Sequence, residues 1–517
     1  MTNKIYLIIL ALFSLFINQY FGYRGVFPID SFLTFDTANN IVSGNHPFKD
    51  YWLITGPLLD YVQSLFFIIF GVNWFSYVLH ASVLNMSLTL FSFYFFLNIG
   101  LKNFYSFIYS LGVAILAYPS IGIPFIDHHA VIFSVMALYC LSLGILNEKN
   151  IFWFLVPVFL TFSFFSKQIP SPYLILLFTI IISFYFFSKE RNNKIFFNYF
   201  ILGVLFSFLI ITGIFLINDI PVNNFIVQYI LYPSSLGAER INKLNIDFNN
   251  IFGQFKFIYF IIIPLIIGTL SLIKNNKKKL IQNKEFIIAI LFLGSAGIFI
   301  YCQLLTKNQI LIFFLIPIFA GVSQIYITKF FNNKYLIYLI LILFVFSTGK
   351  YHMRFNQNKK FMELANADFN LSIDAIKFDK RLSGLKWITP SYIKNPEDEI
   401  NLLIETKNVL MEVEENKIII TDYQFFSGLL PKIIVSPNKW YDELSVPNKK
   451  NKYYQNYKIF FLDKIKYNEV KYIFFIGANK HKMDFFQDFI YENQCVVSRK
   501  INDLLVEFDI NNCEQIL

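Results

Sequence analysis

Long apolar segments recur through the first 350 residues, and they limit the possible folds of this chain more than any other feature. A segment that crosses lipid must satisfy its own backbone hydrogen bonds, so about 20 apolar residues in a row indicate a transmembrane helix. Only 15% of the 517 residues are charged, against about a quarter in soluble domains. The sequence therefore predicts a polytopic α-helical membrane protein, with about eleven transmembrane helices at 5–21, 74–98, 104–119, 130–147, 151–166, 171–187, 196–217, 257–273, 286–305, 310–327 and 335–348.

Lysine and arginine are concentrated in alternate breaks between these segments. With Lys4 in the cytoplasm, the richest breaks, at 188–194, 274–279 and 329–334, all fall inside, as the positive-inside rule requires. Segment 5–21 has no small-residue cleavage site after it, so we interpret it as the first transmembrane helix rather than a signal peptide. The expected location is a bacterial inner membrane, with the N-terminus cytoplasmic and the C-terminus periplasmic. The net charge of +10 is explained by cytoplasmic lysines, so no nucleic-acid partner is predicted.

The composition changes after Lys350. Charges become frequent, and strand-like runs appear between helical patterns at 457–467 and 482–491; those runs lie at 417–421, 432–436, 471–477, 495–499 and 504–508. We therefore predict two domains, a transmembrane domain at 1–349 and an extracytoplasmic soluble α/β domain at 350–517. Two cysteines near the C-terminus, Cys495 and Cys513, are compatible with a disulfide outside the cell and equally with two reduced thiols.

The first outer loop, residues 22–73 between the first two predicted spans, carries several polar groups close to the membrane. Its apolar spacing predicts short helices at the membrane surface over 31–43 and 58–70. Asp30 lies where the first helix leaves the membrane, and a carboxylate near hydrocarbon is a functional candidate because its burial is costly. The alternative is that Asp30 caps the surface helix. Asp36 and Asp50, in the same loop, are candidate substrate-binding residues.

The second outer loop, residues 119–129, brings Asp127, His128 and His129 together. Adjacent histidines on a helix point about 100° apart, so a shared metal ion is disfavoured, and no metal ligands are assigned. We expect Asp127 or one of these histidines to help hold an anionic or polyhydroxylated ligand, and both histidines are candidate substrate-binding residues. The alternative is that Asp127 caps the start of the following helix.

Two outer cations, Lys167 and Arg240, suit the phosphate of a lipid-linked substrate. The alternative for each is a snorkelling side chain or an ion pair. Together, these carboxylates and cations fit glycosyl transfer from a polyprenyl-phosphate sugar. A phosphate leaving group needs charge neutralisation, by basic residues or a divalent metal, and the acceptor hydroxyl needs one carboxylate as general base.

The first outer loop also resembles that of the membrane-embedded C-type (GT-C) glycosyltransferases, in the branch of protein O-mannosyltransferases and the lipid A aminoarabinose transferase. Asp30, "ANNIVSGNHPFKDYW" and "TGPLLDY" stand in the family's order. The resemblance covers roughly residues 1–350 and implies that Asp30 is the catalytic acid or base, with Asp127 as the acid of the second loop. The chain departs from the family pattern at Ser31, where many members have a second acid. Metal dependence stays open.

The expected function is transfer of a sugar, with inversion, from a polyprenyl-phosphate donor to an envelope lipid such as lipopolysaccharide, a glycan or a protein. Membrane lipids are the other expected partners. A transporter or flippase of lipid-linked saccharides is the main alternative. It predicts ionisable residues in mid-helix and an inverted repeat, and the sequence displays neither. A non-catalytic envelope assembly protein that keeps the fold is the third hypothesis.

Overall fold

The computed structural model describes residues 2–187, 194–242, 247–275, 280–307, 311–431, 434, 436–442, 444–478, 482–486 and 495–513. The chain is mostly helical. Its α-helices are Thr2–Gly22, Pro28–Ser31, Phe35–Val42, Leu58–Phe70, Trp74–Asn98, Asn103–Leu116, Ile126–Asn147, Asn150–Ser166, Ser171–Phe187, Lys194–Ile217, Val222–Phe225, Tyr232–Asn242, Gln254–Asn275, Lys284–Leu305, Leu315–Tyr326, Lys334–Tyr351, Pro396–Glu412, Phe426–Leu429 and Tyr454–Tyr467.

Within the ranges that the structure describes, eight helical segments are long and apolar enough to cross a membrane: Asn3–Gly22, Trp74–Asn98, Ile126–Asn147, Lys194–Ile217, Asn249–Lys274, Lys284–Leu305, Ile312–Phe331 and Lys334–Met362. Three further predicted spans are helical but shorter. They are Asn103–Leu116, Asn150–Ser166 and Ser171–Phe187, with 14, 17 and 17 residues. A multi-pass membrane protein is confirmed by this pattern, while the count of eleven spans stays a prediction.

The C-terminal part of the chain, from residue 350 onwards, contains a four-stranded mixed sheet. Strand Lys417–Thr421 runs parallel to Tyr472–Ile476, which pairs antiparallel with Leu505–Asp509, and Val497–Lys500 forms the other edge. The helix Tyr454–Tyr467 lies in the crossover between the two parallel strands, as parallel pairing requires. A two-stranded pair, Ile373–Asp374 with Lys386–Trp387, precedes the sheet. Four of the five predicted strands are present, and the fifth, at 432–436, lies largely outside the described residues.

The first outer loop shares a hydrophobic core with the C-terminal part. The Phe32 ring lies 4.5 Å from the Phe425 ring and 6.0 Å from the Trp387 ring, measured between centroids. On its other side Phe32 packs against Trp74, at the start of the second span. All four side chains are buried. Aromatic residues bury large apolar areas, so this contact holds the loop between the membrane helices and the C-terminal part.

Backbone hydrogen bonds fix the position of the same loop. The N–H of Val26 donates to the carbonyl of Ile388 at 3.0 Å, and the N–H of Trp52 donates to the carbonyl of Pro437 at 2.8 Å. The backbone N–H of Lys439 donates to the Trp52 carbonyl at 3.1 Å. Two separate stretches of the loop are therefore paired with the C-terminal part as isolated parallel bridges, and the loop has a defined register against it.

A buried ion pair joins the two parts as well. Lys439 Nζ contacts Asp60 Oδ1, and both side chains are at most 1% exposed. The Asp60 carboxylate also accepts a hydrogen bond from the Thr37 hydroxyl at 2.9 Å. Burial raises the pKa of the Asp60 carboxyl and lowers the pKa of the Lys439 amine. The charge of Lys439 in turn lowers the pKa of Asp60, and the charge of Asp60 raises the pKa of Lys439. Removing one partner would leave the other buried without a counter-charge.

We expect Lys439→Met to destabilise the protein by about 3–5 kcal/mol, because it leaves the Asp60 carboxylate buried and unpaired. Thermal unfolding of the full chain in detergent measures the effect. The matched control is Lys500→Met, which breaks the exposed pair between Lys500 and Asp503 and should leave the melting temperature nearly unchanged, because exposed ion pairs contribute little to stability. Equal melting temperatures for the two variants would contradict the structural role of the buried pair.

Cys495 and Cys513 form a disulfide that ties the chain before the edge strand Val497–Lys500 to the chain after Leu505–Asp509, while Cys140 and Cys302 are free and buried. Thiol labelling of the denatured protein tests this pairing. We expect two thiols to react without prior reduction and four after it. Four reactive thiols before reduction would show that the tail cysteines are unpaired in the native protein.

Candidate active site

An ion pair at the outer ends of two neighbouring helices forms one wall of the candidate site. The helix Ile126–Asn147 is followed after two residues by Asn150–Ser166, and the two pack against each other along their length. This hairpin returns the chain to the side where it began, so Lys167 lies beside Asp127. Their Nζ and Oδ1 atoms are 2.6 Å apart, and the Asp127 side chain is 2% exposed. The ion-pair alternative for Lys167 is therefore the arrangement in the structure.

Asp30 lies in the short helix Pro28–Ser31, directly after the first span. The helix is bonded at its start by the Ser31 hydroxyl, which accepts from the Phe27 N–H at 2.8 Å. Asp30 itself has no hydrogen bond or ion pair through its carboxylate among the residues that the structure describes, and it is partly exposed. The capping alternative for Asp30 is thus not observed. Its carboxylate is free to contact a bound substrate.

The pKa of the Asp30 carboxyl is raised to about 7. Burial is the largest cause, and the negative charges of Asp442 and Asp127 raise it further, while Lys167 lowers it. Asp30 is therefore close enough to the ion pair for the charges to interact. A carboxyl with a pKa near neutrality is suited to proton transfer, because both of its protonation states are populated at physiological pH.

Two residues of the C-terminal part complete this region, and the sequence analysis missed both. The indole N–H of Trp440 donates to the Ile29 carbonyl at 3.1 Å, beside Asp30. Trp440 also packs against the buried cluster of Leu33, Leu59 and Ile126. Asp442, two residues further on, carries a negative charge that raises the pKa of Asp30. The only signal in the sequence was an acid beside two aromatic residues in a loop, "WYD".

The "TGP" sequence of the first outer loop is packed against the end of the Lys167 helix. The N–H of Gly56 donates to the Ser166 carbonyl at 3.1 Å. A Cβ atom at Gly56 would lie 1.8 Å from the Phe165 carbonyl oxygen, so only glycine fits this position. The side-chain amide of Gln168 donates to the Ile54 carbonyl at 2.8 Å. These contacts position the loop immediately beside Lys167.

An apolar groove of about 540 Å³ begins at this contact. Pro57, next to Gly56, and Phe165, two residues before Lys167, both line it. Its far wall is formed by the apolar span Lys194–Ile217, through residues such as Ile211. The groove lies close to Lys167, the cation of the ion pair with Asp127.

Asp36 and Asp50, both predicted to bind substrate, are bonded to the C-terminal part. Asp36 accepts from the Gly428 N–H at 2.8 Å, and burial raises its pKa to about 6. Asp50 accepts from the His46 N–H at 2.8 Å and lies 3.4 Å from the Lys464 amine. These contacts hold the loop in place. A role in substrate binding stays a prediction for both.

The two histidines of the second outer loop are buried and face protein groups. His128 Nε2 lies 3.3 Å from the Ser120 hydroxyl. His129 contacts the Tyr118 hydroxyl through Nδ1 and lies 2.9 Å from His80 through Nε2. Their predicted ligand contacts are not tested by this arrangement.

Arg240 lies on the helix Tyr232–Asn242 and makes no ion pair with Asp30 or Asp127 in the described structure. No group of three or more histidine, cysteine or acidic side chains in the described ranges is arranged to hold a metal ion. Asp127 is, in addition, bonded to Lys167. The described residues of the candidate site therefore do not form a metal site.

The chain is similar to three solved structures of archaeal oligosaccharyltransferase. AglB from Archaeoglobus fulgidus, in complex with an inhibitory peptide and a dolichol-phosphate, has a TM-score of 0.41 and 11% identity over 92% of this chain and 69% of that chain. The A. fulgidus enzyme with Zn and sulfate has a TM-score of 0.43, with 13% identity over 91% and 68%. Its apo form has a TM-score of 0.47, with 13% identity over 91% and 69%.

No protein-family model and no curated protein matches the sequence. The three similar structures are all of oligosaccharyltransferase, and their TM-scores lie below 0.5.

The raised pKa of Asp30 makes the stability of the protein depend on pH. The folded state favours the protonated carboxyl, so the contribution of Asp30 to stability is fully present below the usual pKa of about 3.9 and is lost as the pH rises through about 7. We expect Asp30→Asn, which does not titrate, to melt at least about 2 °C above the wild type at about pH 8. The difference should vanish at about pH 4. A constant difference across this range would show that Asp30 titrates normally.

Proposed function

We propose that this protein is a membrane glycosyltransferase that moves a sugar from a polyprenyl-phosphate-linked donor to an acceptor of the bacterial cell envelope, with Asp30 as the general base. The single observation that carries the proposal is the unpaired Asp30 carboxylate, with a pKa of about 7, beside the Asp127–Lys167 ion pair. Most carboxylates of the outer loops are bonded within the protein. Asp30 is the one placed to receive a proton from a substrate.

The proposed reaction is a single displacement. The ionised Asp30 carboxylate takes the proton of the acceptor hydroxyl, and the hydroxyl oxygen forms a bond to the anomeric carbon of the donor. The bond between that carbon and the phosphate oxygen breaks, and its electron pair leaves with the phosphate. Attack from the face opposite the phosphate inverts the anomeric centre. One base is sufficient, because a phosphate leaves without prior protonation.

Lys167 is the proposed partner of the phosphate. Its side chain is 13% exposed and, with Asp127, lies near the start of the apolar groove. A cation at that place stabilises the charge that develops on the leaving phosphate. Asp127 holds the lysine in position and is the second residue proposed to act in catalysis. The polyprenyl chain would then lie in the groove lined by Pro57 and Phe165.

The proposed orientation puts the site on the periplasmic face of the inner membrane. The disulfide between Cys495 and Cys513 supports it, because disulfides persist in oxidising compartments. The acceptor is an envelope lipid such as lipopolysaccharide, a glycan or a protein.

Sugar transfer by the purified protein in detergent tests the proposal. The donors are radiolabelled polyprenyl-phosphate sugars, and native envelope lipids and glycans are the acceptors. We expect Asp30→Asn to lower transfer at least about 100-fold, because general base catalysis contributes that much or more. For the wild type, kcat/KM should rise with pH and level off above about 7, as the Asp30 carboxyl becomes ionised.

Asp219→Asn is the matched control. It makes the same substitution at an exposed position with a left-handed backbone that asparagine tolerates, and transfer should be unchanged. Transfer that survives Asp30→Asn would remove Asp30 from the mechanism. Absence of transfer with every donor, together with movement of a lipid-linked sugar across vesicle membranes, would favour the flippase alternative.

A further inference from the structure

Three cations come together where the last span passes into the C-terminal part of the chain. Lys350 lies in the last turn of the helix Lys334–Tyr351, and Arg354 follows about one turn later. Lys256 lies in the first turn of the helix Gln254–Asn275, which packs against the helix of Lys350. All three side chains are exposed. The cluster is therefore accessible from outside the protein and is built from two neighbouring spans.

The buried ring of Phe257 brings two of these cations together. The Nζ atom of Lys350 lies 5.1 Å from the centroid of this ring, and the Nζ atom of Lys256 lies 5.8 Å from the same centroid. The charges that act on Lys350 are those of Lys256 and Arg354, and both are positive. The three side chains thus form one positively charged patch rather than three isolated surface charges.

No acid balances this patch among the residues that the structure describes, since none of the three cations forms an ion pair there. Lys167 and Lys439, by contrast, are each paired with an acid within the protein. The face of an aromatic ring attracts a cation, but the ring carries no net charge, so the patch stays positive. Like charges held close together repel. An anion from outside the protein would relieve this repulsion.

Exposed aromatic side chains lie directly beside the cations, toward the middle of both spans. Phe346 is one turn before Lys350 and is 60% exposed, and Phe260 is one turn after Lys256 and is 54% exposed. Residues four positions apart share one face of a helix. Both rings belong to segments long and apolar enough to cross a membrane, so their exposed surface faces acyl chains. The same face therefore presents apolar surface at membrane depth and positive charge at the boundary.

We propose that an anionic phospholipid of the membrane binds across the ends of these two helices. Its phosphate would lie among Lys256, Lys350 and Arg354, and its acyl chains would follow Phe260 and Phe346. An arginine binds a phosphate through two parallel hydrogen bonds, and the lysines add positive charge. Basic residues between spans hold anionic headgroups in this way. The inference does not depend on the proposed sugar transfer.

A bound lipid would stabilise the protein, because it bridges two spans that are adjacent only in the folded state. One of these spans leads directly into the C-terminal part. The hydroxyl of Tyr351 donates to the Gln254 carbonyl at 3.4 Å and is the hydrogen bond that joins the two helix ends at this point. The lipid phosphate would add a second connection between the same ends.

Titration of the delipidated full-length protein in a neutral detergent tests the inference. Native mass spectrometry measures the affinity for phosphatidylglycerol, and thermal unfolding measures the stabilisation. We expect phosphatidylglycerol to raise the melting temperature by at least about 2 °C and zwitterionic phosphatidylcholine to raise it less. The double variant Lys350→Gln/Arg354→Gln should bind phosphatidylglycerol at least about tenfold more weakly, because two basic contacts to the headgroup are lost. Lys256→Gln, on the other helix, should weaken binding as well.

Lys334→Gln is the matched control, since it makes the same substitution at an exposed lysine at the other end of the same helix. It should leave the affinity for phosphatidylglycerol unchanged, and so should Lys350→Arg, which keeps the charge. Equal stabilisation by the two phospholipids, or an affinity that the three glutamine substitutions do not change, would overturn the inference. Inorganic phosphate that stabilises the wild type as strongly as phosphatidylglycerol would assign the patch to a free anion and reject the lipid site.

Discussion

The docking of the first outer loop onto the C-terminal part is the constraint on which the candidate site depends. The loop connects two spans, and its conformation is fixed by contacts with the C-terminal part. Phe32 is buried between Trp74 on the membrane side and Phe425 on the other, and the Lys439–Asp60 pair permits only one register. Asp30 is thereby held at a fixed place beside Asp127. Without this contact its carboxylate would be exposed to water.

The parts of the structure that the sequence predicted are those with a local cause. Spanning segments follow from their length and apolar character, and the short surface helix Leu58–Phe70 follows from Pro57 before it and Gly71 after it. The meeting of Asp127 and Lys167 follows from topology, because an even number of crossings separates residues on the same face. Two of the three shorter helices, Asn150–Ser166 and Ser171–Phe187, also agree with the predicted segments 151–166 and 171–187 to within one residue.

The parts that the sequence did not predict depend on contacts between distant residues. Asp60 and Lys439 are 379 positions apart. No periodic pattern in the sequence indicates that Lys439 is the counter-charge of this acid in an apolar helix. The same limit explains why Asp36 and Asp50 resembled Asp30 as candidates. All three are acids in one loop, and only the folded structure separates those bonded to the C-terminal part from the one that is unpaired.

The C-terminal part has a chemical role as well as a structural one. Burial beneath it and the charge of Asp442 are the two largest causes of the raised pKa of Asp30. A carboxylate in water, with a pKa of about 3.9, is a weak base, while one near 7 accepts a proton readily and is still ionised in half of the molecules at neutral pH. The positive charge of Lys167 lowers the pKa of Asp30 and so opposes this shift. The docking that orders the loop therefore also sets the basicity that the proposed reaction requires.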